Sequence, residues 1–150
     1  MPNLACQVGK GVCGISRTLP SDDTMDVIVE DFLGKIFSCH FLPEFQLDQL
    51  TALSGSGIAF AFNFIQAMSE GGVKIGLPRE LSVEIANETV AGACSMIKST
   101  KKHPVELRDA VCSPAGTTIY GIHALQKAKF SSAVIDGIMS SYNRCIELKK

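Results

Sequence analysis

Residues 113–125 join a Pro/Gly turn to a helical pattern in the sequence S-P-A-G-T-T-I-Y-G-I-H-A-L. Pro114 and Gly116 are typical of a tight turn, and Thr117 or Thr118 can cap the helix that follows. The first amides of a helix lack partners within the helix and lie at the positive end of its dipole. Such a turn can therefore hold a small anion, a carboxylate or a phosphate. An ordinary capped turn without a ligand explains the same residues.

The overall composition excludes several classes of partner. The 150 residues include 14 basic and 15 acidic side chains, a net charge of -1, which gives no basic face for nucleic acid. The most apolar window, residues 58–65, is too short and too interrupted to cross a bilayer, so no membrane partner is expected. The amino end lacks the basic and apolar regions of a signal peptide, so we expect a cytoplasmic protein.

The cysteines and histidines do not have the spacing of a metal site. The three histidines are far apart, and no C-x-x-C or H-x-x-x-H pattern occurs. We therefore expect no metal, and we expect the cysteines to be reduced and mostly buried. The six are Cys6, Cys13, Cys39, Cys94, Cys112 and Cys145.

Residues 9–14 spell the G-x-G-x-x-G of dinucleotide-binding folds. The context does not fit, because Pro20 prevents a helix from opening directly after Gly14 and Asp31 lies within a later helical pattern. We interpret residues 4–16 as a short strand followed by a glycine-rich loop. No cofactor-binding residue is predicted in this chain.

The hydrophobic pattern predicts the elements that position the turn. A helix is expected from Ser21, a strand over 37–42 and a short helix from Pro43 that ends at residues 54–57, where Ser56 caps the next helix. Further helices are predicted over 58–70, 78–101, 103–111, 119–127 and from a cap at residue 131 to the end. No strand is expected after Gly57. The pattern predicts a mostly helical protein behind a short α/β lead.

Three ordered motifs carry a resemblance to pyrroline-5-carboxylate reductase. They are L-T-A-L-S-G-S-G at 50–57, G-G-V-K-I-G-L-P at 71–78, and the sequence from H-P-V-E-L-R-D-A-V-C to the S-P-A-G-T-T helix at 103–125. The likeness runs from M-P-N at the amino end to the final helix, and is greatest to the shorter cytosolic animal form.

The resemblance implies a mainly α fold in two parts. Residues 43–150 would form an interlocking helical dimerisation domain similar to the C-terminal domain of 6-phosphogluconate dehydrogenase. Residues 1–42 would be a short α/β remnant of the Rossmann cofactor domain. The partner would be a second copy or a full-length reductase, in a dimer or a higher oligomer.

The resemblance also implies an activity, the reduction of 1-pyrroline-5-carboxylate to L-proline with NADPH or NADH. Thr51 would be the catalytic residue, which bonds the ring nitrogen, positions the imine and helps its protonation. Ser54 and Gly55 would shape the loop beside it. The substrate carboxylate would be held by Ser113, Gly116, Thr117 and Thr118.

The chain departs from the family at several positions, of which Ala115 and Lys101 bear most on this site. Ala115 stands where relatives usually have glycine, which is tolerable if its φ is negative. Lys101 replaces an acidic residue that some animal relatives use near the substrate.

The family's cofactor fingerprint would precede Met1, so we expect this chain not to bind NAD(P)H or turn over alone. Two hypotheses follow. One is the dimerisation and substrate-binding part of a reductase, as a truncated chain or a short isoform. The other is a non-catalytic module that pairs with itself or with a full-length reductase.

Overall fold

The computed structural model describes residues 1–17 and 23–149. These residues fall into two compact units. Unit 1 comprises Met1–Phe60 and Val134–Lys150, and unit 2 comprises Ala61–Ala133. The expected boundary between residues 42 and 43 stays a prediction.

Unit 1 begins with a small α/β arrangement. A 3₁₀ turn, Leu4–Val8, leads into strand β1, Gly11–Ile15; helix α1, Asp23–Leu33, then connects to strand β2, Phe37–Phe41. The two strands are parallel, as expected for a β-α-β connection. The first residues pair antiparallel with β1, where the Met1 amine donates to the Gly14 carbonyl at 2.7 Å. The predicted strand at 37–42 is confirmed.

In the glycine-rich segment, the structure reverses the predicted order of strand and loop. Here the turn precedes the strand, because Gly9, with φ of 67°, ends the 3₁₀ turn in a left-handed conformation. Gly11 and Gly14 lie within β1, where a side chain would clash: a Cβ on Gly11 would meet the Cys6 sulfur, and one on Gly14 would meet Leu50. These glycines therefore serve close packing.

A continuous helical stretch follows β2. It consists of a 3₁₀ turn Glu44–Gln46, helix α2 Leu47–Leu50, a π-helix Thr51–Ser56 and helix α3 Gly57–Lys74. The prediction that S-G-S-G breaks the helix was wrong. Glycine tolerates helical angles, and Gly57 adopts them with φ of -59°. The serine–glycine run is accommodated as a wider π turn instead of a loop.

This stretch is longer than the apolar window of residues 58–65 that was expected to be too short to cross a bilayer. Glu44–Lys74 spans 31 residues, with a mean hydropathy of 1.2 in its most apolar window, so its length and composition would suffice to cross a membrane. An apolar helix of a soluble protein has the same properties. The expected absence of a membrane partner stays a prediction.

Unit 2 consists mainly of helices: the rest of α3, then α4 Arg79–Thr100, α5 Pro104–Ala110 and α6 Thr117–Lys127. Helices α3 and α4 approach closely at Gly72, whose missing side chain would lie 2.8 Å from the Ser82 hydroxyl. The buried hydroxyls of Ser69 and Ser82 bond backbone carbonyls at 2.8 and 2.9 Å. Small residues therefore determine this helix contact.

The last helix, α7 Phe130–Glu147, returns the chain to unit 1. Beyond its end, Lys149 forms an ion pair with Asp48 at 2.6 Å. This hydrogen bond to the carboxylate raises the pKa of Lys149 above its ordinary value of 10.5. This ion pair holds the last described residues next to the start of α2.

The single chain buries few apolar side chains. Cys13, Ala52 and Ala86 are buried, whereas large residues on the helices are exposed, among them Phe62 at 54% and Met139 at 51%. The prediction of mostly buried thiols was wrong for the same reason: Cys94 is exposed and only Cys13 is buried. All six cysteines are thiols. Helix faces this apolar are typical of a surface that another protein covers.

Candidate functional site

The Pro/Gly turn ends at Gly116, which is the N-cap of α6. Gly116 is extended, with φ of -75° and ψ of 165°, and its N–H donates to the Ser113 carbonyl at 3.0 Å. Thr117 and Thr118 are therefore the first two helical residues, and the prediction that one of them caps the helix was wrong. A Cβ on Gly116 would clash with the Ser113 hydroxyl, so only glycine fits beside that side chain.

The first amides of α6 are available to a ligand. Gly116 has no side chain to cap them, and α6 is 11 residues long, enough for its dipole to favour an anion at this end. The Ser113 hydroxyl packs against Gly116 next to these amides. The four residues predicted to bind the substrate carboxylate thus form one local group, which can bind an anion through N–H and O–H donors.

Ala115 does not meet the condition under which alanine would be tolerated. Its φ is +56°, in the left-handed region. A side chain with a Cβ is disfavoured there by about 1–2 kcal/mol, and glycine is not. The turn therefore carries backbone strain at Ala115.

Lys101 has a structural role that its sequence position did not show. It is the left-handed C-cap of α4, with φ of 58°, and its N–H donates to the Ile97 carbonyl at 3.0 Å. Its side chain is exposed. The backbone of Lys101 thus ends α4, whatever its side chain contributes.

The predicted catalytic residue lies at the first position of the π-helix. The Thr51 hydroxyl donates to the Leu47 carbonyl at 2.7 Å. Its proton is committed to that bond, so the oxygen can offer only its lone pairs to a ligand. Ser54 and Gly55 belong to the same π-helix, a kind of turn often found at functional sites.

Asn3 is a residue that the sequence did not single out. Its amide nitrogen donates to the Ser54 hydroxyl at 3.0 Å and to the Ser54 carbonyl at 3.3 Å. Its oxygen accepts from the Val12 N–H at 3.1 Å. Asn3 therefore ties the π-helix to β1, and the M-P-N motif was the signal that could have identified it.

A groove of about 640 Å³ opens beside Asn3 and Ser54 in unit 1. Lys10 and His40, neither of them predicted, supply further polar groups at its wall. The remaining lining is apolar and comprises Ala5, Val12, Leu42, Leu50, Leu53 and Ile58. A groove of this kind suits a small molecule with an apolar body and a polar or anionic group.

The predicted residues are divided between the two units. Thr51, Ser54 and Gly55 belong to unit 1. The residues predicted to bind the substrate carboxylate, which lie between Ser113 and Thr118, belong to unit 2. Each group is ordered by its own local contacts. Their joint action at one site stays a prediction.

The described residues show neither an open dinucleotide loop at the G-x-G-x-x-G segment nor a cluster of metal ligands. The G-x-G-x-x-G segment is closed by packing at Gly11 and Gly14, which leaves no cradle for a pyrophosphate. Within residues 1–17 and 23–149, no group of three or more His, Cys, Asp or Glu side chains could hold a metal ion.

Comparison with known proteins identifies the family. Residues 44–148 match the family model described as pyrroline-5-carboxylate reductase dimerisation. The chain belongs to the pyrroline-5-carboxylate reductase family. It is 38% identical over 148 residues to pyrroline-5-carboxylate reductase 3 of Danio rerio, covering 99% of this chain and 51% of the relative. It is also 38% identical to the Arabidopsis thaliana reductase, covering 100% and 54%.

Solved reductases of this family have the same fold. The chain matches the Coxiella burnetii reductase with a TM-score of 0.92 and 30% identity, covering 100% of this chain and 56% of that one. It matches the Plasmodium falciparum reductase, whose structure holds NADP, with a TM-score of 0.85 and 31% identity, covering 96% and 58%. The expected fold, a helical dimerisation domain behind a short α/β segment, is confirmed. The chain spans about half the length of these relatives.

Proposed function

We propose that this chain supplies the substrate-binding and dimerising half of a pyrroline-5-carboxylate reductase, which reduces 1-pyrroline-5-carboxylate to L-proline with NAD(P)H. The observation that carries the proposal is the uncapped first turn of α6 beside Ser113, in a chain of this family. An imino acid has one carboxylate, and this turn offers donors suited to one carboxylate. The G-x-G-x-x-G segment leaves no cradle for a pyrophosphate, so the roles proposed here are those toward the substrate.

The carboxylate accepts hydrogen bonds from the first amides of α6 and from the Ser113 hydroxyl. This anchors the ring by charge-assisted bonds, which are the strongest type of hydrogen bond in proteins. Gly116 is essential for this arrangement, because a side chain there would displace the Ser113 hydroxyl.

Thr51 accepts a hydrogen bond from the ring nitrogen. Because its own proton is donated to Leu47, it stabilises the protonated, positively charged imine and does not supply the proton. This sharpens the expectation that Thr51 helps protonation: it does so by favouring the protonated form, which is the better hydride acceptor. Asn3 holds the adjacent π-helix in place through Ser54.

Binding of L-proline, the reaction product, tests these roles without a cofactor. Calorimetric titration of the chain should show weaker binding for Thr51→Val and Ser113→Ala. A bond to a charged group is worth about 1.5–3 kcal/mol, so the loss should be about tenfold or more. Thr89→Val is the matched control, since the Thr89 hydroxyl makes the same bond to a carbonyl four residues earlier, at 2.7 Å, on an exposed face. Equal losses at residues 51 and 89 would contradict the assignment.

A non-catalytic pairing module is the second candidate, and the exposed apolar helix faces favour it. In that case the chain pairs with a second copy, or with a full-length reductase in the cytoplasm, and binds no imino acid. Sedimentation of the chain alone and size exclusion after co-expression with a full-length reductase measure the pairing. A mixed species with no proline binding would favour this candidate, whereas a stable monomer would exclude both.

A further inference from the structure

Two cysteines face each other across the parallel strands of unit 1. Cys13 of β1 is in register with Cys39 of β2. Neighbouring strands lie about 4.8 Å apart, and registered residues of a parallel pair point to the same face. Disulfides join residues whose Cα atoms are about 4.4–6.8 Å apart, so this pair is within reach.

The two thiols differ in exposure. Cys13 is 6% exposed, whereas Cys39 is half-buried and therefore more accessible to a small reagent. A third thiol, Cys6, lies against Gly11, which is two residues before Cys13 and on the same face of β1. Cys6 is therefore the competing partner that any test must distinguish.

We propose that Cys13 and Cys39 form a reversible dithiol–disulfide site, oxidised by a small-molecule disulfide of the glutathione type. The Cys39 thiolate attacks one sulfur of the small disulfide, forming a mixed disulfide and releasing one small thiol. The Cys13 thiolate then attacks the Cys39 sulfur and releases the second small thiol. Two protein thiols lose two electrons and two protons, and one small disulfide becomes two small thiols.

The geometry makes this bond labile. The Cβ atoms of registered neighbours start about 4.8 Å apart, whereas a relaxed disulfide holds them at about 3.8 Å. The strands must therefore draw together, and strained disulfides are more easily reduced than structural ones. Reduced glutathione should reopen the bond.

Alkylation and mass spectrometry test the site in the whole 150-residue chain. After equilibration with mixtures of reduced and oxidised glutathione, two thiols should become unavailable to N-ethylmaleimide together. Trypsin, which cuts after lysine and arginine, should then release residues 11–17 joined to residues 36–74. Cys39→Ser should abolish the link, as should Cys13→Ser; because Cys13 is buried, Cys39→Ser is the variant that disturbs the fold less. Cys6→Ser and the exposed control Cys94→Ser should retain it.

Three results would overturn the proposal. One is a glutathione adduct on Cys39 that never proceeds to a protein disulfide. Another is a link from Cys6 to either cysteine in place of the Cys13–Cys39 link. The third is a bond between two chains, seen as a dimer on a non-reducing gel and lost in Cys39→Ser.

Discussion

Replacing Ala115 with glycine should stabilise the protein. Ala115 has a φ of +56°, and a residue with a Cβ loses about 1–2 kcal/mol in this region relative to the right-handed one. Glycine removes that loss but gives the unfolded chain more freedom, which offsets about 0.4–1 kcal/mol of the gain. The two ranges leave a net increase in the free energy of unfolding of about 0–1.6 kcal/mol, with about 0.8 kcal/mol between their midpoints.

Thermal and urea denaturation of the purified chain measure this difference. For a protein of this length the midpoint value corresponds to a rise in Tm of about 2–3 °C. Ala124→Gly within α6 makes the same chemical change at a right-handed position, where it should lower stability by about 0.5–1 kcal/mol. The two variants should therefore move in opposite directions.

Proline titration of Ala115→Gly separates strain from function. If the strain serves binding, by aiming the first turn of α6, affinity should fall while stability rises. If Ala115 is a neutral replacement of glycine, affinity should stay unchanged. A loss of stability on Ala115→Gly, with Ala124→Gly behaving as expected, would refute the argument from backbone strain.

Two other positions give equally direct tests. Gly72→Ala should destabilise the chain by about 1–3 kcal/mol, because the new Cβ would lie 2.8 Å from the Ser82 hydroxyl; Gly71→Ala, with nothing within 4 Å, should stabilise it by about 0.5–1 kcal/mol. Urea denaturation measures both variants. A Gly72→Ala variant more stable than Gly71→Ala would contradict the close contact between α3 and α4. The raised pKa of Lys149 means that its ion pair with Asp48 contributes fully below pH 10.5 and is lost as pH rises through the higher folded-state value. Lys149→Met should therefore be less stable than the parent at pH 8, and the gap should narrow in strongly alkaline buffer; a gap that does not change with pH would count against it.

The sequence predicted correctly those helices and strands whose capping residues or hydrophobic pattern lie within the element itself. Helix α5 follows from Pro104 at its first position, and His103 caps it by accepting from the Val105 N–H at 3.2 Å. Strand β2 follows from its alternating pattern. The turn before α6 was placed correctly, although the cap proved to be Gly116 and not a threonine.

The features that were missed depend on distant residues. The π-helix is tied to the amino end, since Asn3 bonds Ser54 across 51 positions and Met1 lies against Gly55. No local pattern of residues 51–56 reveals those contacts. The conformation of Ala115 was also undetermined, because alanine there argues against the left-handed angle that the turn adopts. For the cysteines, burial depends on what covers the helices, which single-chain periodicity does not specify.

The π-helix has a consequence for changes in chain length. A π turn holds one more residue than an α turn, so deleting one residue from Thr51–Ser56 would restore a regular α-helix and leave α2 and α3 nearly in register. Side chains within the turn, such as Thr51 and Ser54, would then take new directions with their chemistry intact. A one-residue deletion in this segment should therefore leave the fold largely intact and still weaken substrate binding.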